Sequence, residues 1–184
     1  LNSFATFFYN EGWVITFLLF SLIVVSLMMD SSEWAETPPL IFVSTLGFFS
    51  GLALAKIRIS AILLHPLGLT IGFFTTVWQI LSFLGNEGQK TSMSDVFSRL
   101  GLWIRATFNE DIVTDSLPLM FIIVAGTWLL AYISSWLIFR YSNPWGAIVI
   151  GTTVLLVNLR YLPAAFMFFL FLYLFSIMMM LIQM

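Results

Sequence analysis

The sequence predicts an all-α integral membrane protein: a bundle of about six transmembrane helices plus one interfacial amphipathic helix. Three observations carry this expectation. Of the 184 residues, 60% are apolar and 9% charged, against about 45–50% and about 25% in soluble domains. Mean hydropathy is +1.02. The apolar residues also gather into nearly uncharged runs, of the roughly 17–25 residues that a hydrocarbon core about 30 Å thick requires.

The first run, about 13–29, starts at Trp13 and ends before Asp30. Thr37-Pro38-Pro39 then stops any helix, because proline lacks the amide donor. No basic segment precedes this run and no small-x-small site follows it, so it is not a cleaved signal peptide. The chain starts at Leu1 rather than Met, and further residues before it are expected. The second run, about 40–55, stops at Lys56-Ile57-Arg58. The third, about 59–84, contains His65-Pro66, where a break or kink is expected, with Gly68 and Gly72 four residues apart beside it.

Between the third and fourth runs the pattern changes. Met93, Val96, Phe97, Leu100, Trp103 and Ile104 recur at helical spacing, with Asp95, Arg99 and Arg105 between them. Ser92 followed by Asp95 resembles a capping box. This predicts an interfacial helix over about 92–108, a surface for lipid or a partner, or simply a cover for the bundle end. The fourth run covers about 117–139 and closes at Arg140. The fifth, about 144–160, opens with an Asn143 cap and Pro144 at the first helical position. Its seventeen residues reach about 25 Å, enough if Arg160 snorkels. The sixth, about 163–184, is rich in Phe and Met.

Orientation follows from the basic residues. Lys56 and Arg58 sit in a short connection, which the positive-inside rule places in the cytoplasm. Alternation then puts Arg140 inside as well, and segment 85–116 outside. Eight of the nine acidic residues fall on the outer side, Glu11 being the exception. The expected location is a membrane, crossed several times.

Composition also excludes functions. Seven basic and nine acidic residues give a net charge of −2, so nucleic acid is not an expected partner. No cysteine is present, which removes disulfides, thiolate metal sites and a cysteine nucleophile from these residues. His65, the only histidine, is a weak candidate ligand for haem or pigment; a structural place near the interface is the better reading. No cofactor is expected beyond bound lipid. Gln79 and the threonines are read as helix-bonding groups, and Trp128 and Trp136, eight residues apart, as packing. No catalytic residues, metal ligands or internal repeat of the transporter kind emerge. The structural candidates are Lys56, Arg58, Arg140, Asn158 and Arg160. An ion pair of Arg160 with Asp115 or Glu36 is one expectation among them.

Several segments, in order, resemble the N-terminal membrane domain of bacterial transglutaminase-like membrane proteins of the TgpA type. They are Trp13; Leu54-Ala55-Lys56-Ile57-Arg58; Trp78-Gln79; Thr114-Asp115-Ser116-Leu117-Pro118; and Thr127-Trp128-Leu129-Leu130-Ala131-Tyr132 with Trp136. Phe139-Arg140-Tyr141-Ser142-Asn143-Pro144-Trp145 and the stretch from Leu155 to Pro163 complete the set. The resemblance implies an anchor for an extracytoplasmic enzyme domain of the same chain, which carries a papain-like Cys-His-Asp triad. No catalytic residue carries over to the residues present. The alternatives are an accessory subunit of a respiratory or photosynthetic membrane complex, with other membrane subunits as partners, or a small transporter.

Overall fold

The computed structural model describes residues 2–32, 34–86, 92–109 and 115–184, with side chains from Glu11 onward. Among the described residues the chain forms seven α-helices and no strand. They are α1 (Asn2–Ser31), α2 (Leu40–Lys56), α3 (Ala61–Asn86), α4 (Met93–Asn109), α5 (Leu117–Tyr141), α6 (Pro144–Leu159) and α7 (Met167–Gln183). A 3₁₀ turn, Ala164–Phe166, leads into α7. Four stretches are long and apolar enough to cross a membrane: Glu11–Ser31, Ala61–Asn86, Leu117–Tyr141 and Ala164–Gln183. The apolar helices α2 and α6 are shorter, at 17 and 16 residues.

The ends differ from the sequence expectation for identifiable reasons. Helix α1 runs through Asp30 to Ser31, and the Ser31 hydroxyl donates back to the Leu27 carbonyl at 2.8 Å. Helix α3 starts at Ala61, with the Ser60 carbonyl accepting from the Leu63 and Leu64 amides. The expected break at Pro66 does not occur, and α3 is continuous through it. Pro66 is the sixth residue of α3, so the missing N–H forfeits only the bond to Ile62 in the second turn. The amphipathic segment forms α4 and opens with the reciprocal bonds of a capping box. The Ser92 amide donates to the Asp95 carboxylate at 2.8 Å, and the Asp95 amide to the Ser92 hydroxyl at 3.3 Å. Asn143 caps α6 as its sequence predicts, accepting from the Trp145 and Gly146 amides at 3.1 and 3.4 Å.

Helix α5 is central, and α2 lies closest against it. A Cβ added at Gly47 would stand 2.5 Å from the Trp128 carbonyl oxygen, and one at Gly51 would stand 2.6 Å from that of Tyr132. Ala131 and Ser135 face these glycines from α5. Small residues four apart on both helices therefore let the two backbones meet, the packing that apolar helices use where hydrophobic burial cannot drive them together. Helices α1 and α7 pack together on the other side. The Ser176 hydroxyl there donates to the Phe17 carbonyl at 2.6 Å, a polar bond across the helix pair. Tyr173, 2% exposed, donates to the Ile148 carbonyl of α6 at 3.1 Å.

Candidate functional site

Three polar or aromatic groupings stand out: one at each end of the bundle and one along α5. At the Lys56 end, Arg140 leaves the last turn of α5 and reaches the α2–α3 connection. Its guanidinium donates to the carbonyls of Ala55 (3.3 Å), Ile57 (2.6 Å) and Ile59 (2.8 Å). The last carbonyls of α2 have no partner within the helix, and a cation at a helix C-terminus also meets the negative end of its dipole. The planar, five-donor guanidinium suits a fan of three acceptors, which an ammonium could not match. Lys56 pairs with Glu11 of α1 at 2.8 Å, while Arg58 is exposed and makes no ion pair with a described residue. Three sequence candidates, Lys56, Arg58 and Arg140, thus stand at one end.

The opposite end is braced by different chemistry. Proline at 39 cannot cap α2 with its side chain. Instead the Asp30 carboxylate of α1 accepts from the Leu40 amide, at 3.3 and 3.4 Å. Asn158, 7% exposed, donates to the Val154 carbonyl at 2.8 Å and accepts from the Trp34 indole at 3.0 Å. Trp34 in turn meets Tyr161 edge to face at 4.8 Å. The expected pairing of Arg160 with Asp115 or Glu36 is not formed. Asp115 instead takes a two-point bond from Arg99 of α4, with Nε to Oδ2 at 2.6 Å and Nη2 to Oδ1. Asp115 also accepts from the Leu117 amide at 3.0 Å, so one carboxylate caps α5 and clamps α4 to it. Arg160 is exposed at the end of α6 and makes no ion pair among the described residues.

Charge at this clamp is tuned by its bonds. The hydrogen bond from Arg99 holds the Asp115 carboxyl below the usual carboxylate range, and Asp115 pushes the Arg99 guanidinium further up. The Ser92 backbone N–H, with its hydroxyl, holds Asp95 below that range too. The neighbouring acids Glu110 and Asp111 lie outside the described residues.

Along α5 an aromatic ladder faces α3. Trp128 and Tyr132 stack at 5.0 Å, and Tyr132 and Trp136 meet at 5.9 Å. Opposite them, Gly72 lies under Trp128, Gly68 under Tyr132, and His65 against Trp136 at 4.5 Å. His65 Nδ1 and the Tyr132 hydroxyl share a hydrogen bond at 3.1 Å. The Arg140 guanidinium lies 5.8 Å from the Trp136 ring centre, close enough for cation–π attraction. Trp128 and Trp136 do share one side, as their spacing implies. The same arithmetic places Tyr132 between them, and the sequence reading missed that residue. Gln79 makes no cross-helix hydrogen bond with a described residue.

No family model, curated protein or solved structure matches this chain. The site must therefore be read from its own geometry. Among the described residues no three His, Asp or Glu side chains gather closely enough to hold a metal. What the three groupings do is connect helices: each links side chains on one element to backbone or side chains on another.

Proposed function

We propose that this chain is a six-pass membrane scaffold whose two polar ends set its position in the bilayer. One observation carries the reading: among the described residues, every charged side chain of the six apolar helices lies at an end of its apolar stretch, Glu11 opening that of α1 nine residues after the helix begins. On α1, Glu11 and Asp30 are nineteen residues apart, about 28 Å at 1.5 Å per residue, close to the thickness of a hydrocarbon core. Helices α2 and α6 span about 24–26 Å, and polar side chains from neighbours or their own caps finish their ends. Between the ends Ser176 and Tyr173 bond to a neighbouring helix, while hydroxyls such as those of Ser26, Ser50 and Ser135 bond back to their own.

The end with Lys56, Arg58 and Arg140 faces the cytoplasm in this reading, following the positive-inside rule. The end with Asp30, Glu36, Asp115 and α4 faces outward, and α4 lies in the outer interface. In line with the family resemblance, the scaffold anchors an extracytoplasmic transglutaminase-like domain of a bacterial inner-membrane protein. The fit rests on the ordered segments and on helix ends that agree with the required topology.

Reporter fusions after Asn86 and after Ser142 test the topology. Export-dependent phosphatase activity at Asn86 and cytoplasmic fluorescence at Ser142 are expected; cytoplasmic fluorescence at both would overturn the alternation. The reading frame beyond Met184 tests the anchor role. A segment with a Cys-His-Asp set supports it, and a stop codon directly after Met184 removes the cargo.

A further inference from the structure

We propose that Tyr132 is a redox-active tyrosine: it gives one electron through Trp128 to a lipid alkoxyl radical and passes its phenolic proton to His65. Three observations meet at this residue. Trp128 and Tyr132 stack with ring centres 5.0 Å and planes 12° apart, and Trp136 follows at 5.9 Å. The Tyr132 hydroxyl shares a 3.1 Å hydrogen bond with His65 Nδ1, its one side-chain partner among the described residues. The buried indole N–H groups of Trp128 and Trp136 have no acceptor among those residues.

Electrons cross a few ångström between stacked rings quickly, so an electron missing from one of the three rings is exchanged among them until a proton leaves. The proton therefore decides where the oxidation settles. An oxidised phenol is a strong acid and needs a base within hydrogen-bond reach. An oxidised indole that cannot lose its N–H proton stays a radical cation and keeps pulling electrons from its neighbours. The two indoles have nothing to take their protons, whereas the phenol has an imidazole. With the ring proton on Nε2, His65 Nδ1 accepts the Tyr132 O–H bond. His65 is the only histidine in the chain. Trp136 is disfavoured further, because the Arg140 guanidinium lies 5.8 Å from its ring centre. A fixed cation attracts the neutral ring and repels an oxidised one.

The step balances. The alkoxyl oxygen takes an electron from Trp128 and a proton from water, giving the alcohol and hydroxide. Tyr132 returns an electron to Trp128. The Tyr132 O–H bond breaks and its proton forms the second N–H of His65, leaving a phenoxyl radical beside an imidazolium. Alkoxyl radicals arise where an acyl-chain hydroperoxide loses its O–O bond. Trp128 is the twelfth residue of α5, about 17 Å from its start, behind the exposed side chains of Leu69, Phe73 and Leu129. One layer of side chains separates the indole from the surface, a gap that an electron crosses and a lipid does not.

The choice of oxidant rests on the membrane reading above; the Tyr132 site does not, and two measurements separate them. The chain has no cysteine, so Leu129→Cys carries a rhenium tricarbonyl–diimine photo-oxidant as a unique label beside Trp128. In detergent, a flash is expected to give an indole radical cation that decays into a phenoxyl radical, read by transient absorption and slowed in deuterium oxide. Tyr132→Phe keeps the ring and should abolish the phenoxyl while lengthening the indole signal severalfold. His65→Phe, or His65→Gln if the first fails to fold, removes the base and should cut the phenoxyl yield severalfold with Tyr132 still in place. A yield unchanged by Tyr132→Phe, or by the His65 variant that folds, overturns the site. The second measurement places the full chain in phosphatidylcholine vesicles containing a linoleoyl hydroperoxide, cleaved by ferrous iron and freeze-quenched for electron paramagnetic resonance. A phenoxyl signal that Tyr132→Phe removes is expected. Its absence from a chain that floats with the vesicles overturns the lipid oxidant. A chain that does not float with them overturns the membrane reading instead.

Discussion

The α2–α5 contact gives the sharpest test of the fold. In Gly47→Ala the new Cβ stands 2.5 Å from the Trp128 carbonyl oxygen, about 0.9 Å inside ordinary contact, and 3.1 Å from the Ala131 Cβ. The first obstacle is backbone in a buried helix, so no side chain can swing aside and the two helices must separate. Overpacking of this kind costs about 1–3 kcal/mol. Alanine also recovers about 0.8–1 kcal/mol of helix propensity relative to glycine, which would mask part of the loss. Gly126→Ala controls for that term. It lies on α5, the helix that Gly47 of α2 packs against, and a Cβ there meets nothing within 4 Å. The expected difference between the two variants is the clash alone, about 1–3 kcal/mol, or about 2–12 °C in midpoint for a chain of this size. Thermal unfolding in a mild detergent, followed by tryptophan fluorescence, measures it. Equal midpoints for Gly47→Ala and Gly126→Ala would show that the backbones do not meet and would refute the packing described.

Other expectations follow from the two ends. Arg140→Met removes three charge-assisted bonds to the α2–α3 connection and should cost about 1–3 kcal/mol, with faster hydrogen exchange at residues 55–60; Arg140→Lys should recover less than half, because one ammonium cannot reach all three carbonyls. Asn143→Ala removes the α6 cap and should cost about 1 kcal/mol in unfolding free energy. The clamp of α4 has a defined pH dependence. The Asp115 carboxyl is held below its ordinary value, so its stabilisation is full above about pH 4, the unfolded value, and is lost as pH falls through the depressed folded value. Protection of α4 amides, corrected for intrinsic exchange, should stay flat from neutral pH to about 4 and then drop. Asp115→Asn should shrink the drop, leaving the part that belongs to Asp95 in the capping box of α4. A double-mutant cycle with Arg99→Met should give a coupling of about 0.2–1 kcal/mol, since both groups are partly solvated.

Local signals in the sequence were legible where the physics is local. The Ser92–Asp95 box and the Asn143 cap are bonds within three residues, so spacing alone predicts them. The ends of α5 and α6 follow from Arg140 and from Asn143-Pro144 in the same way. Pro66 shows the limit of that reasoning. Its cost depends on how far into the helix it lies, and the start at Ala61 is set by the Ser60 carbonyl rather than by hydropathy. Asp115 is the clearer failure. Its charge invited a pairing with Arg160, but Arg99, sixteen residues before it, takes both oxygens. The α2–α5 contact was also missed, although Gly47 and Gly51 stand four apart as plainly as Gly68 and Gly72.

Sequence by itself determined that the chain is helical, apolar and punctuated by charge at regular distances. Those properties follow from the composition of each run and from the need of backbone groups among apolar side chains to bond to one another, and neither depends on which helix meets which. Tertiary structure alone decided the partners. Nothing in a linear pattern tells Arg140 that its acceptors are the carbonyls of residues 55, 57 and 59, or tells Asp30 that it will cap α2. Only the structure shows that the Trp128 ring lies over Gly72 of α3. Those pairings depend on how closely two backbones approach, and that distance is set by the glycines of one helix against the aromatic rings and carbonyls of another.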